Sequence, residues 1–296
     1  MFAKTIDCHG RELVLDRARI CGIVNVTADS FSDGGEFLDP QRAIEHGLRL
    51  VEEGADLLDI GGESTRPGAG EVSAADEIAR IVPVIEALAK RTSVPISVDT
   101  SKPEVMRAAV AAGAGLINDV YALRRDGALD AAAALGVPVC LMHMQGEPRT
   151  MQDAPHYDDV VGDVHRFLAE RLFACQMAGI DKKKILIDPG FGFGKTLEHN
   201  LALLRELGRF PELAPVMAGL SRKSMIGALT GHQNPAERAA GSAAAALIAV
   251  QNGAVIVRVH DVAITRDALA VWHAVADSAP AKRVAPAKKT SLWDDD

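Results

Sequence analysis

The sequence predicts an α/β fold, a single (β/α)8 barrel of the TIM type, and three observations predict it. Short apolar runs rich in β-branched residues recur eight times along the 296 residues, each followed by a loop and a segment of helical periodicity. Most of these runs are continuous in apolar residues, as expected of parallel strands buried on both faces. The first run leads into Asn25-Val26-Thr27 and not into a glycine-rich dinucleotide turn, which disfavours an open doubly wound sheet.

In chain order, residues 1–19 precede the first run and read as a short hairpin or plug under the barrel. The eight strands are expected at Ile20–Asn25, Asp56–Ile60, Pro95–Asp99, Leu116–Val120, Pro138–His143, Ile185–Pro189, Val216–Ser221 and Ala254–His260. Asp39 and Pro40 suit the N-cap and first position of a helix on which Ile44, Leu48 and Val51 share a face. Ser101 and Glu104 have capping-box spacing ahead of an alanine-rich helix, which Gly113 and Gly115 can end. One barrel domain therefore spans 1–278. The segment 279–296 has no apolar period and mixes Pro, Lys and Asp, so it reads as a disordered, flexible tail.

Composition narrows the partners. A formal charge of −8 without a run of Lys and Arg disfavours nucleic acid. No stretch resembles a cleaved leader or is long enough to span a bilayer, so a cytoplasmic location with no membrane partner is expected. Cys8, Cys21, Cys140 and Cys175 show no CxxC spacing and read as reduced core residues.

Barrels of this class place reactive groups at the C-terminal ends of their strands. Those ends carry Asn25; Asp59 through Glu63; Asp99; Asn118 and Asp119; His143; Asp188 and Lys195; Ser221, Arg222 and Lys223; and Arg258, His260 and Asp261. Taken singly, each is as readily a loop residue at the water boundary. Together they describe a site. Arg258 and His260 alternate with Val257 and Val259 and share one side of their strand, and a buried Arg calls for an anionic partner. With Arg222 and Lys223 nearby, and Asn25 offering an amide oxygen to Mg²⁺, they suit a diphosphate. Asp99, Asn118 and Asp188 offer the acceptors and amide that read an amino-pyrimidinone edge, so a pterin-like ligand is expected; an N-cap for Asp99 and a turn for Asn118 are the competing readings. Gly194-Lys195-Thr196 ends like a phosphate-binding loop, but Pro189 stands where its first glycine belongs. Of Phe191 and Phe193, one is expected in the core and the other against an aromatic substrate. His143 lacks a second ligand at metal spacing and reads as a packed strand end.

The order of motifs resembles the dihydropteroate synthase family. The stretches are Asn25-Val26-Thr27 with Asp29 to Gly35, Asp59 to Gly68, Ser97 to Thr100, Ile117 to Val120, Asp188 to Lys195, Gly219 to Ser224 and Arg258 to Val262. Family members usually carry proline where this chain has Ala28. The resemblance implies that p-aminobenzoate attacks a hydroxymethyl-dihydropterin diphosphate and releases diphosphate with the help of Mg²⁺. It implies that Asp99, Asn118, Met142, Asp188, Gly219 and Lys223 hold the pterin. Asn25, Arg258 and His260 would hold the diphosphate, Asn25 also its metal, while Thr65, Arg66, Phe193 and Ser221 approach the aminobenzoate. Lys223, Arg258, Asp99 and Asp33 are the implied catalytic residues, and a homodimer is the implied assembly. A pterin-binding methyltransferase and a non-catalytic pterin-binding paralogue are the alternatives.

Overall fold

The structure is a computed structural model that describes residues 5–27, 40–64, 70–147 and 150–277. Asp33, Thr65 and Arg66, the position of Ala28, the cap expected at Asp39 and the tail from 278 onward lie outside the described residues.

Two short strands open the chain, β1 (Thr5–Asp7) and β2 (Glu12–Val14), paired antiparallel with Ile6 opposite Leu13. Eight parallel strands then close a barrel in the order β10-β3-β4-β5-β6-β7-β8-β9. They are β3 (Arg19–Asn25), β4 (Leu57–Gly61), β5 (Ile96–Asp99), β6 (Leu116–Asp119), β7 (Val139–Met142), β8 (Ile185–Asp188), β9 (Val216–Ala218) and β10 (Ala254–Val259). Around them lie α1 (Pro40–Glu53), α2 (Ala74–Arg91), α3 (Pro103–Ala111), α4 (Ala128–Leu135), α5 (Val160–Met177), α6 (Leu197–Arg205), α7 (Ser224–Thr230), α8 (Ala239–Gln251) and α9 (Val262–Asp277). Among the described residues, no helix is long and apolar enough to cross a membrane.

Side chains alternate across each strand, so one set fills the barrel and the other packs on the helices. The helix-facing set includes Ile60, Val98, Ile117, Leu141 and Ile187, which join residues of the surrounding helices such as Ile81, Ile85 and Leu88 in one large core. The inward set forms a separate cluster at the bottom, where Cys21, Leu57, Leu116, Cys140, Leu186, Met217 and Ile256 meet Ile6, Cys8 and Leu13 from the hairpin. The hairpin is thus the plug expected from the sequence. It sits so close to β6 that a Cβ at Gly115 would meet the Cys8 carbonyl oxygen at 2.2 Å, which explains a glycine at the mouth of that strand. All four cysteines are buried and free.

Two local expectations are corrected. Ser101 and Glu104 do not form a capping box: α3 is capped at Lys102 without a side-chain bond, with Pro103 in its first turn. Lys102 is held instead by Glu63 and Glu77, both 2.6 Å from its Nζ, so a buried ammonium between two carboxylates fixes the residue that starts the helix. The seventh strand stops at Ala218, earlier than expected, because Gly219 to Lys223 leave the sheet in a turn that puts Arg222 at a φ of 59°.

Candidate active site

The mouth of the barrel begins two residues beyond the apolar bottom. Continuing inward past Leu57, Leu116, Leu186 and Ile256, the strands present Asp59, Asn118, Asp188 and Arg258. Register sets Gly61 beside Asp99 and Asp99 beside Asn118, so three successive strand ends meet at one level.

Arg258 organises this floor. Its Nε donates to Asp59 Oδ2 at 2.6 Å and an Nη to Asp99 Oδ2 at 2.8 Å, while Asn118 Nδ2 donates to the same Asp59 oxygen at 3.0 Å. Asp59 was placed on the rim by the sequence but given no role in the site. Period-two alternation from the inward Leu57 was the signal available, since an Asp two residues on must also face the interior. Asp59 Oδ1 and Ser97 Oγ, register partners on β4 and β5, are buried with no hydrogen-bond partner. The floor therefore has acceptor capacity beyond what its cation uses. Burial pushes the Asp99 carboxyl up to about 7 against the opposing pull of Arg258, and the neighbouring Asp59 charge adds to the rise.

Asp188 and Lys223 form the opposite wall, with Gly219 between them. A Cβ at Gly219 would lie 3.7 Å from Asp188 Oδ2, 3.8 Å from Lys223 Nζ and 3.9 Å from Arg258 Cβ, so the missing side chain keeps the space between carboxylate and cations open. Burial raises the Asp188 carboxyl above its usual range although Lys223 opposes the shift. Burial likewise lowers Lys223, to about 8, against Asp188. Both groups are thus poised closer to neutrality than in water, a common arrangement where protons and charges are handled.

Lys223 Nζ donates to the Phe191 carbonyl and lies 4.6 Å from the centroid of the Phe193 ring. Phe191 is fully buried, as expected of one of these two phenylalanines, and Phe193 packs beside Val120, Met142, Met144 and Met151 at the mouth. Met142 thereby supplies an apolar wall to the space above the polar floor. The Ser221 hydroxyl oxygen accepts the His260 backbone N–H at 3.1 Å and lies 3.0 Å from its Nδ1. Asn25 ends β3 beside Gly61 on the same rim.

Three residues at strand ends do other work. Arg222 forks onto Asp261 with bonds of 2.9 and 2.5 Å, so the positive charge expected from it is already paired. Asp119, not Asn118, is the turn former: its carboxylate accepts the amides of Tyr121 and Leu123 and supports positive φ at Ala122 and Leu123. His143 is buried, as expected of a packed strand end, and burial beside Lys195 pushes it down to about 2. No cluster of three or more His, Cys, Asp or Glu suited to a metal occurs among the described residues.

A closed barrel whose mouth sets buried carboxylates and an amide against an Arg and a Lys, under an apolar wall, defines an enzyme for a flat, donor-rich heterocycle that carries an anion. The comparisons agree. The family described as "Pterin binding enzyme" matches residues 21–260. The dihydropteroate synthase of Escherichia coli K12 is 52% identical over 93% of this chain and 98% of its own length. The Xanthomonas albilineans dihydropteroate synthase with 4-aminobenzoic acid superposes with a TM-score of 0.89 at 63% identity, covering 94% of this chain and 100% of that one. A structure of the enzyme from the same organism in complex with 7,8-dihydropteroate gives 0.86 at 61%, covering 93% and 100%. The chain belongs to the pterin-binding enzymes and, among them, to the dihydropteroate synthase family.

Proposed function

We infer that this chain synthesises 7,8-dihydropteroate. The amine of p-aminobenzoate attacks the methylene carbon of 6-hydroxymethyl-7,8-dihydropterin diphosphate, the new C–N bond forms, and diphosphate departs with the electron pair of the broken C–O bond. The observation that carries this reading is the convergence of Asp99, Asn118, Asp188, Lys223 and Arg258 on one barrel mouth around Gly219.

Carboxylates and an amide suit the N–H donors and carbonyl of the pterin, with Met142 and Phe193 against flat rings. Growing positive charge on the methylene is stabilised by those carboxylates, and charge on the departing diphosphate by Arg258, Lys223 and the neighbouring His260; fixed charges in a desolvated site act most strongly on such charge separation. An aniline amine is a nucleophile without prior deprotonation, so the attack asks no general base of the floor; the proton on the new C–N nitrogen leaves afterwards, to water or to the departing diphosphate. Thr65, Arg66 and Ser221 are proposed to approach the aminobenzoate, and Asp33 to act in catalysis, on family resemblance.

Mg²⁺ belongs to this proposal. A single amide oxygen at Asn25, with no carboxylate cage among the described residues, fits an ion that arrives on the diphosphate and keeps most of its waters. Asn25 would hold it, and it would neutralise leaving-group charge. A homodimer is proposed on the same family resemblance, and a cytoplasmic setting on the reading of the sequence given above.

The test is diphosphate release from the pterin diphosphate, with and without p-aminobenzoate, in Mg²⁺ and in chelator. Release that needs both aminobenzoate and Mg²⁺ is expected. Pterin binding without release would leave a non-catalytic pterin-binding paralogue as the better description.

A further inference from the structure

The segment Gly190 to Gly194 is held by side chains to an unusual degree. Its carbonyls are taken in turn: Gly190 by Lys195 at 2.8 Å, Phe191 by Lys223, Gly192 by Gln152, Phe193 by Lys195 at 3.0 Å and Gly194 by the Tyr157 hydroxyl at 2.8 Å. The donors come from the segment's own end, from the turn after β9 and from the chain between β7 and α5. The Gly192 amide is fixed as well, by Asn200 Oδ1 at 2.7 Å.

Lys195 is the centre of this basket. It is 3% exposed, and besides the two carbonyls its Nζ lies 3.0 Å from His143 Nδ1. With the His143 carbonyl at 3.4 Å, four acceptors surround Nζ, so each of its N–H bonds has a partner. Burial, which keeps His143 neutral, leaves its Nδ1 free to accept. The segment in turn places two groups of the mouth: the Phe191 carbonyl receives Lys223 Nζ, and the Phe193 ring lies beneath the same Nζ. Gly190 permits the close seating, since a Cβ there would meet the His143 carbonyl at 1.9 Å.

We propose that Lys195 is a positioning residue for the aminobenzoate side of the site, acting through the carbonyls of Gly190 and Phe193 to hold the Phe193 ring against Lys223. It touches no substrate. The proposal deepens the functional reading given above and rests on it for the identity of the second substrate.

Steady-state kinetics on Lys195→Met, which keeps the stem and removes the donors, separate the two substrates. KM for p-aminobenzoate is expected to rise about tenfold, the equivalent of one buried hydrogen-bond penalty, and KM for the pterin diphosphate by less than about threefold. Tyr157→Phe removes only the bond to Gly194 and covers the case in which Lys195→Met does not fold; it should raise the aminobenzoate KM alone, by about twofold to threefold. Faster hydrogen exchange of the amides in 190–194 is expected in both variants.

Equal rises in the two KM values, or faster exchange with neither KM changed, would overturn the positioning role and leave a purely structural one. A parent enzyme that releases no diphosphate from the two substrates would overturn the functional reading instead. Exchange then decides alone, and unchanged protection at 190–194 in both variants would remove the role of Lys195.

Discussion

The two ends of the barrel are built from the same strands and differ by a step of two residues. At the bottom the inward positions are Leu57, Leu116, Leu186 and Ile256, sealed by Ile6, Cys8 and Leu13. At the mouth they are Asp59, Asn118, Asp188 and Arg258, with Lys223 and Asp99 beside them. The bottom gains free energy by keeping water out, roughly 1.5–3 kcal/mol for each large side chain fully buried. The mouth gives up such gains to keep charges apart from water. Because the two sets alternate with helix-facing residues that form one continuous core, the expensive end is supported by the inexpensive one.

The sharpest way to break this contrast is Arg258→Ala, which leaves Asp59 and Asp99 facing each other without their cation. A loss of roughly a hundredfold to a thousandfold in kcat/KM is expected, the scale for removing one preorganised charge-stabilising group. Calorimetry should show pterin diphosphate losing more affinity than the bare pterin, since Arg258 is proposed to meet the anion directly and to affect the pterin only through Asp99. Equal losses would remove Arg258 from the diphosphate.

Leu186→Ala tests the other end. A cavity in the bottom layer is expected to cost about 3 kcal/mol of stability, read from the denaturant midpoint, with kcat per folded molecule nearly unchanged. A large fall in kcat at saturating substrate would show that the ends are coupled more tightly than the layers suggest.

The smallest effect concerns pH. Lys223 faces Asp188, Arg258, Asp99 and Lys195, and loses its proton through about 8 in place of its usual 10.5. As pH rises through about 8, kcat/KM for the pterin diphosphate should fall with the loss of this cation. Stability moves the other way: between those two values the unfolded chain holds more protons on this amine than the folded one, so its contribution to stability rises with pH. Lys223→Arg cannot deprotonate in this range and should abolish the alkaline limb at a lower overall rate. A limb left at the same pH would assign it to another group.

The barrel was legible because its strands are apolar on both faces, and the polar rim was legible because nearly every strand ends in a charge or an amide. Interior partnerships were not. Nothing local in the sequence joins Asp59 to Arg258, which are 199 residues apart, and Glu77 looks like an ordinary acid in the first turn of a helix until Lys102 is found against it. Arg222 failed as a free cation for the same reason, since Asp261 lies on the next strand's loop. Lys195 drew notice as a rim residue and as part of an imperfect phosphate-binding loop, whereas most of its partners are main-chain carbonyls, which leave no signature in a sequence.

The 199-residue span between Arg258 and Asp59 also bears on how the molecule comes into being. During synthesis the strands that carry Asp59, Asp99 and Asn118 emerge well before β10, so these acceptors are made long before the guanidinium that neutralises them. β10 pairs with both β3 and β9, so the strand that closes the sheet is also the one that brings the guanidinium to the charge set. A chain that lacks β10 therefore carries these carboxylates without the guanidinium that Asp59 and Asp99 share.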